Sequence, residues 1–323
     1  MTIDRTDILI RKARKASQQD NYDEDRGIPQ EFFINSLNEC NQEINKILVA
    51  EASEPFAAYS TSAIVANQEA YAVPTDIFSS NLVYSVEYSA DSATSNWQPL
   101  DLAYRREYVI SGEPDTYFVD NGYIYISPVP QSANGSLRIR YEKRLDNLDI
   151  PRGVVSSVGV QLDVGTQIQL NISDDILPDE SALIPVTQWE YACFVDGSTR
   201  LITRRNCPRG WVGGYDTSSG IITIILPSEY TDSFQDIIDN ASNSGYPIFL
   251  LLGADTTCFS PLPRHFQNIF LNWMANDVQL HLSSLDLSAT KTKYNEAIVK
   301  AAEIFAQLPS GKKPIPEHRR DWY

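Results

Sequence analysis

The residue types that usually carry chemistry are thinly spread in this chain, and their spacing builds no site. There are three histidines, His265, His281 and His318. A zinc centre on a helix wants a second ligand three or four residues from the first, and no histidine pair has that spacing. A nucleophile–base arrangement would need a strained serine turn such as G-x-S-x-G, which is absent. Four cysteines, Cys40, Cys193, Cys207 and Cys258, contain no C-x-x-C pair, so reduced and mostly buried thiols are expected rather than a metal or disulfide framework. Asp174-Asp175 and Asp179-Glu180 could by count supply the two carboxylates of a glycosidase, but they flank Pro178 and read as loop charges. Asp115, Asp120 and Asp196 stand beside turn residues and read as turn formers. No phosphate-cradling glycine loop occurs; Trp211-Val-Gly-Gly214 has neither the lysine nor the following helix and reads as a turn. The expectation is a protein that is not an enzyme and uses no metal and no cofactor.

Binding chemistry is better supplied. After Pro309 and Gly311 the chain carries Lys312, Lys313, Arg319 and Arg320 and ends in Trp322 and Tyr323. An aromatic pair beyond a proline-rich stretch has no local core to join, and docking into a partner pocket satisfies it. Arg138 and Arg140 alternate with Leu137, Ile139 and Tyr141, so the two guanidinium groups line one face of a strand. That face is either simply solvated or a charge row at a subunit interface. Trp189, Trp211 and Tyr215 support a different reading, in which exposed aromatic rings stack on sugars in a receptor- or glycan-binding module.

Charge narrows the partners. The formal net charge is −16, yet both ends are basic: residues 1–15 hold five basic against two acidic side chains, and residues 309–323 hold four against two. The body between them repels DNA phosphates rather than gripping them. Hydrophobic content of 42% with 11% aromatics, mostly tyrosine, indicates a folded chain with partly wet sheets or interfaces. The charged first fifteen residues do not read as a secretory signal, and no apolar run approaches the ~20 residues of a membrane span.

The elements that must hold these groups follow a clear order. Residues 3–19 read as a short helix. Pro29 opens a longer one, with Phe33, Leu37, Cys40, Ile44 and Ile47 in a single stripe. From Phe56 the period changes to two. Ala63–Val65, Glu69–Val73 and Leu82–Tyr88 read as strands, and Asp120-Asn121-Gly122 between alternating apolar runs predicts a hairpin. Asn134-Gly135 repeats the device before Leu137–Tyr141. Beyond Pro151 the chain is poorer in charge, with strands expected at 167–172, 189–195, 200–203 and 220–226 and a helix at 230–240. Two helices return after Pro261, one with Phe266, Ile269, Phe270, Trp273 and Leu280 on a face, the other with Tyr294, Ile298, Ala301, Phe305 and Leu308. The fold class expected is α+β: terminal helices in one bundle (1–55 and 261–308), an antiparallel β domain (56–151), an inserted β-rich domain (152–260) and an extended tail (309–323).

The order of Tyr71-Ala-Val-Pro-Thr-Asp76, Trp97-Gln-Pro-Leu100, Gly112-Glu-Pro-Asp-Thr-Tyr117, Asn121-Gly122, Ile126-Ser-Pro-Val-Pro130 and Ile139-Arg-Tyr141 resembles the β domain of head-to-tail adaptor proteins of tailed bacteriophages, of the tail tubular protein A type. The helix with Phe33, Leu37 and Asn38 and the section from Leu262 to Leu308 resemble the helices of that family. The likeness covers about 1–150 and 261–323. It implies a structural ring, usually of twelve copies, at the head–tail vertex of the virion, made in the host cytoplasm. The partners it implies are the portal protein, reached through the C-terminal tail, a tail or nozzle protein, and double-stranded DNA that passes through the channel without specific binding. It implies no membrane partner.

Overall fold

The computed structural model describes residues 3–17, 28–52, 54–90, 96–104, 111–151, 153–162, 167–173, 191–196, 209–216, 221–225, 248–252, 256–282 and 296–303, with backbone alone over 155–225 and at 252. The chain divides into two compact units, Met1–Ile44 with Asp146–Ala301, and Asn45–Leu145 with Ala302–Tyr323. Two helices lead: α1 (Thr6–Ala16) and α2 (Gln30–Glu51). α1 buries Leu9, Ile10 and Ala13. It stops where the Ser17 hydroxyl and N–H both turn back to the Ala13 carbonyl, at 2.8 and 2.9 Å. α2 begins after Pro29, a residue suited to a helix start because its missing N–H would be unpaired there anyway. Its apolar stripe is Phe33, Leu37, Cys40 and Ile44, continued by Leu48. The expected last member, Ile47, is only half-buried. The buried face turns toward the side carrying Asn41 and Asn45, both 2% exposed, and Leu48 lies on that side.

Eight strands then build a two-sheet sandwich within the second unit: β1 (Ala57–Ala63), β2 (Ala70–Ala72), β3 (Val83–Ser89), β4 (Gln98–Pro99), β5 (Asp101–Leu102), β6 (Thr116–Asp120), β7 (Tyr123–Ser127) and β8 (Ser136–Glu142). One sheet runs β1-β8-β3-β4 and the other β2-β7-β6-β5. Pairing is antiparallel except for β5 beside β6. Alternate residues point inward: Val86, Tyr88, Leu137, Ile139 and Tyr141 of the first sheet share a core with Tyr71, Tyr117, Ile124 and Ile126 of the second. The buried tyrosines keep their polar ends employed where they can. The Tyr141 hydroxyl donates to Asp76 at 2.7 Å, and the Val65 N–H donates to the Tyr71 oxygen at 3.2 Å. Burial pushes the Tyr117 hydroxyl up to about 12.

The hairpin expected at Asn121-Gly122 joins β6 to β7 with φ of 49° and 80° at its two turn residues, the pairing of positive angles that Asn-Gly favours. Asn134-Gly135 behaves differently. Only Gly135 has positive φ, at 121°, and the strands flanking this connection lie in different sheets. Pro128 and Pro130 lack the N–H groups that a continued ladder needs, and the chain crosses from one sheet to the other. Gly135 is required there because a Cβ would stand 2.4 Å from the Ser89 carbonyl oxygen. The first strand also lies earlier than expected, at Ala57–Ala63 rather than Ala63–Val65. As an edge strand with an exposed outer face, it lacks the apolar alternation that marks a half-buried one.

In the first unit, β9 (Asn147–Leu148) precedes six strands of a closed antiparallel barrel: β10 (Gly153–Leu162), β11 (Gln167–Ser173), β12 (Tyr191–Asp196), β13 (Arg209–Asp216), β14 (Ile221–Ile225) and β15 (Ile248–Leu252). Their order is β10-β11-β14-β13-β12-β15, with β15 returning to β10. Trp211-Val-Gly-Gly214 is therefore strand, not turn. The ladder slips between Val212 and Gly214, a bulge at which glycine accommodates the extra residue. The strand expected at 200–203 and the helix expected at 230–240 lie outside the described residues. β16 (Thr256–Thr257) pairs in parallel with β9, and α3 (Gln267–Leu282) and a helix at 296–303, α4, follow.

The helices of this unit meet through named contacts. α1 packs on α3, the Ser36 hydroxyl of α2 donates to Asp277 of α3, and the Arg14 guanidinium lies 5.0 Å from the Phe33 ring centroid. α3 buries Ile269, Phe270, Trp273, Met274 and Val278, whereas the expected Leu280 is half-buried. α2 also holds β9. The Asn38 amide donates to the Leu148 carbonyl at 2.8 Å and its oxygen accepts from the Leu148 N–H at 2.6 Å. Asn41 donates to the Asp146 carbonyl at 3.1 Å. Because the parallel partner is engaged through Asp149, whose N–H reaches the Thr257 carbonyl at 2.8 Å, the Leu148 peptide groups face the other way. Asn38 serves them as a neighbouring strand would.

Candidate interaction surface

The outer face of sheet β1-β8-β3-β4 gathers aromatic and charged side chains in rows. Register places Tyr59 opposite Arg140, Thr61 opposite Arg138, and Glu87 on the other side of Arg138. Arg138 is ion-paired with Glu87, and Arg140 with Glu54 just ahead of β1. Each guanidinium also lies over aromatic rings: Arg138 is 4.5 Å from the Trp97 ring centroid and 5.2 Å from that of Tyr59, and Arg140 is 5.9 Å from Tyr84 and 6.0 Å from Tyr59. These distances are within the reach of a cation–π attraction. One row over, Glu142 is fully buried, accepting from the Tyr84 hydroxyl and, at 2.9 Å, from the Phe56 N–H.

On this face both arginines are neutralised within the chain. The Arg138 and Arg140 side chains are 31% and 21% exposed, and each is engaged by a carboxylate of the same chain. Tyr59, at 51%, is the ring most open to a partner. Arginine and aromatic residues in such proximity have the composition of interface hot spots. The alternation of Arg138 and Arg140 was visible in the sequence. Glu54, Glu87, Trp97 and Tyr59 were not, because their register with β8 is set by long-range pairing.

Among the described residues, those weighed for catalysis do not converge. His265 stacks on the adjacent Phe266 ring at 4.4 Å, and His281 lies 5.1 Å from the Phe32 ring. Asp120 is exposed and accepts from Asn121 at 3.0 Å in the hairpin turn. Among the described residues no group of three or more His, Cys, Asp or Glu could hold a metal ion. Cys40 and Cys258 are buried and free. Burial, with help from Asp277 and Glu43, pushes the Cys40 thiol well above its ordinary value; burial does the same for Cys258. No described helix is long and apolar enough to cross a membrane. Asp174, Asp175, Asp179, Glu180, Trp189, His318 and the whole tail with Lys312, Lys313, Arg319, Arg320, Trp322 and Tyr323 lie outside the described residues. For Trp211 and Tyr215 only the backbone, on β13, is described.

No curated protein matches the chain. A family model, SU10 adaptor protein, matches residues 6–179, a span that runs from α1 through both sheets of the sandwich and past the second strand of the barrel. That is more than half of the chain, and the protein belongs to the SU10 adaptor family, a phage structural adaptor.

Proposed function

We propose that this chain is a head-to-tail adaptor subunit of the tail tubular protein A type, which joins the portal to the tail of a phage virion. The observation that carries the reading is the family match over 6–179. In this reading the subunits form a ring, of twelve copies by resemblance, and the ring surrounds a channel for double-stranded DNA. An acidic chain of net charge −16 suits passage, since a basic lining would hold the duplex. The segment 309–323 docks on the portal, with Lys312, Lys313, Arg319 and Arg320 meeting acidic groups and Trp322 and Tyr323 filling pockets. Helices from 1–55 and 261–308 form the bundle next to the portal, 56–151 is the β platform for the tail or nozzle protein, and 152–260 is an insert carried by that plan. Arg138 and Arg140, already paired within the chain, contribute to a subunit contact by holding Tyr59, Tyr84 and Trp97 in place. The work of such a subunit is assembly, not catalysis.

The test is electron microscopy of the full-length chain mixed with the portal of its own particle, beside a chain ending at Leu308. The full chain is expected to crown the portal, with density for the last residues between portal subunits. The shortened chain should keep its thermal transition and leave the portal bare. A shortened chain that still decorates the portal would remove the docking role of the tail. A full-length chain that ignores the portal would remove the adaptor assignment of this vertex.

A further inference from the structure

The start of α1 breaks a local rule. Helices favour serine, threonine, aspartate or asparagine just ahead of the first turn, because those side chains accept from its unpaired N–H groups. Arg5 stands there, with φ −61° and ψ 149°, and a guanidinium accepts nothing. The first N–H of the helix, that of Thr6, donates instead to the Cys258 carbonyl at 3.1 Å. The Thr6 hydroxyl donates to the Asp149 carbonyl. Those two carbonyls lie just beyond the paired parallel strands, one after β16 and the other after β9. One threonine thus bridges the ends of both strands, and the positive end of the α1 dipole faces their carbonyls.

The residues beside Thr6 reach two other elements. The Arg5 guanidinium, held by Asp7 of its own helix, covers the ring of Phe249 in β15 at 4.7 Å from the centroid. Phe249 and Leu251 belong to the apolar cluster that joins the barrel to Cys258 and Phe259 beyond β16. The Phe249 and Phe259 rings meet edge to face at 5.9 Å. Asp4 and Gln267, at the start of α3, are bonded both ways: the Gln267 amide donates to the carboxylate at 2.8 Å, and the Asp4 N–H donates to the Gln267 oxygen at 3.4 Å. Ile3 is 1% exposed. Residues 4, 5 and 6 therefore tie α3, the barrel and the β9–β16 pair at one point. We infer that Ile3–Asp7 is a strap that locks the barrel to the helices of its unit. The barrel needs the strap for position, not for closure. The chain enters the barrel at Gly153 and leaves it at Leu252, and each of β10 to β15 is paired on both sides. The barrel meets β16 through β12 and β15, and Thr6 holds β16. Withdrawing the strap unties β16 and uncovers Phe249, and leaves every rung of the barrel ladder in place.

This inference does not rest on the adaptor reading, since it concerns one free chain. The test compares the full-length wild type with Thr6→Pro and Arg5→Ala by backbone amide relaxation and amide exchange. Proline suits the first position of a helix and an extended residue before it, such as Arg5. Thr6→Pro therefore keeps α1 while deleting both Thr6 donors. In the wild type, the amides of 153–162 and 221–225 and those of α3 should report one tumbling time. In both variants the barrel amides should tumble about twofold faster than those of α3, as a body free to move on its own, with their exchange protection retained. Arg5→Ala carries the comparison if Thr6→Pro does not fold. A wild-type barrel that already tumbles apart from α3, folded variants that still tumble as one body, or a barrel that loses its protection in both variants would each overturn the inference.

Discussion

Replacing Asn38 by alanine removes two hydrogen bonds at once and leaves both peptide groups of Leu148 without their partner. The geometry is near ideal, at 2.8 and 2.6 Å, and Leu148 is 1% exposed, so water has little access to take over. A buried donor or acceptor left unmade costs about 1–3 kcal/mol; two of them, with some relaxation of β9, come to about 3 kcal/mol. Against a total stability of about 5–15 kcal/mol for a domain, that loss should lower the urea midpoint of the first unit clearly, without changing the slope of the transition. Asn38→Asp should recover little, because the carboxylate keeps the acceptor for the Leu148 N–H but faces the Leu148 carbonyl with a second oxygen. Tryptophan fluorescence and amide exchange at residue 148 would follow the unfolding. A loss below about 1 kcal/mol for Asn38→Ala, with the 148 amide still protected, would refute the view that this side chain acts as a strand neighbour.

Two further outcomes follow from single residues. Gly135→Ala must hold a side chain at φ 121° with its Cβ 2.4 Å from the Ser89 carbonyl, whereas Gly122→Ala meets nothing within 4 Å at φ 80°; thermal melts should show a loss of about 3 kcal/mol or failure to fold for the first and about 1 kcal/mol for the second. Asp7 is pushed up by burial but more strongly held down by Arg5 and Arg11, and its carboxyl sits below the ordinary range. A carboxylate lowered on folding contributes stability that is whole above its unfolded value and is lost as the pH falls through the folded one. Melting temperature should thus drop on acidification through and below the usual carboxylate range, and Asp7→Asn should flatten that part of the profile; parallel profiles for the two chains would contradict it.

What the sequence made legible is local. Asn121-Gly122 announced a hairpin because both of its residues accept positive φ, and they do. The α2 stripe was visible because five apolar residues recur at helical spacing, four of which are buried. The same logic missed Asn38 and Asn41, since a polar residue on a packed face looks like a surface residue until its backbone partner, more than a hundred positions away, is known. It joined β7 to β8 across Asn134-Gly135 because alternation marks a strand without saying which sheet it enters. It read Trp211-Val-Gly-Gly214 as a turn because glycine marks bulges and turns alike. Arg138 and Arg140 share one strand face, yet the carboxylates and rings that occupy them come from β1, β3 and the residues just ahead of β1 and β4. The tail that drew the most attention in the sequence is outside the described residues, so its docking role stands on resemblance and composition.

Barrel closure has a consequence for a component that must be packed beside many others. Each of β10 to β15 has a hydrogen-bonded neighbour on both sides, so among the described residues no strand of this module is a free edge along its whole length. Strands flanked on both sides are poorer templates for zippering against copies of the same module than an open edge is. Any molecule that selects it must read side chains or connecting loops, where sequence can diverge freely while the hydrogen-bonded frame stays unchanged. The barrel can thus change whom it greets without changing how it stands.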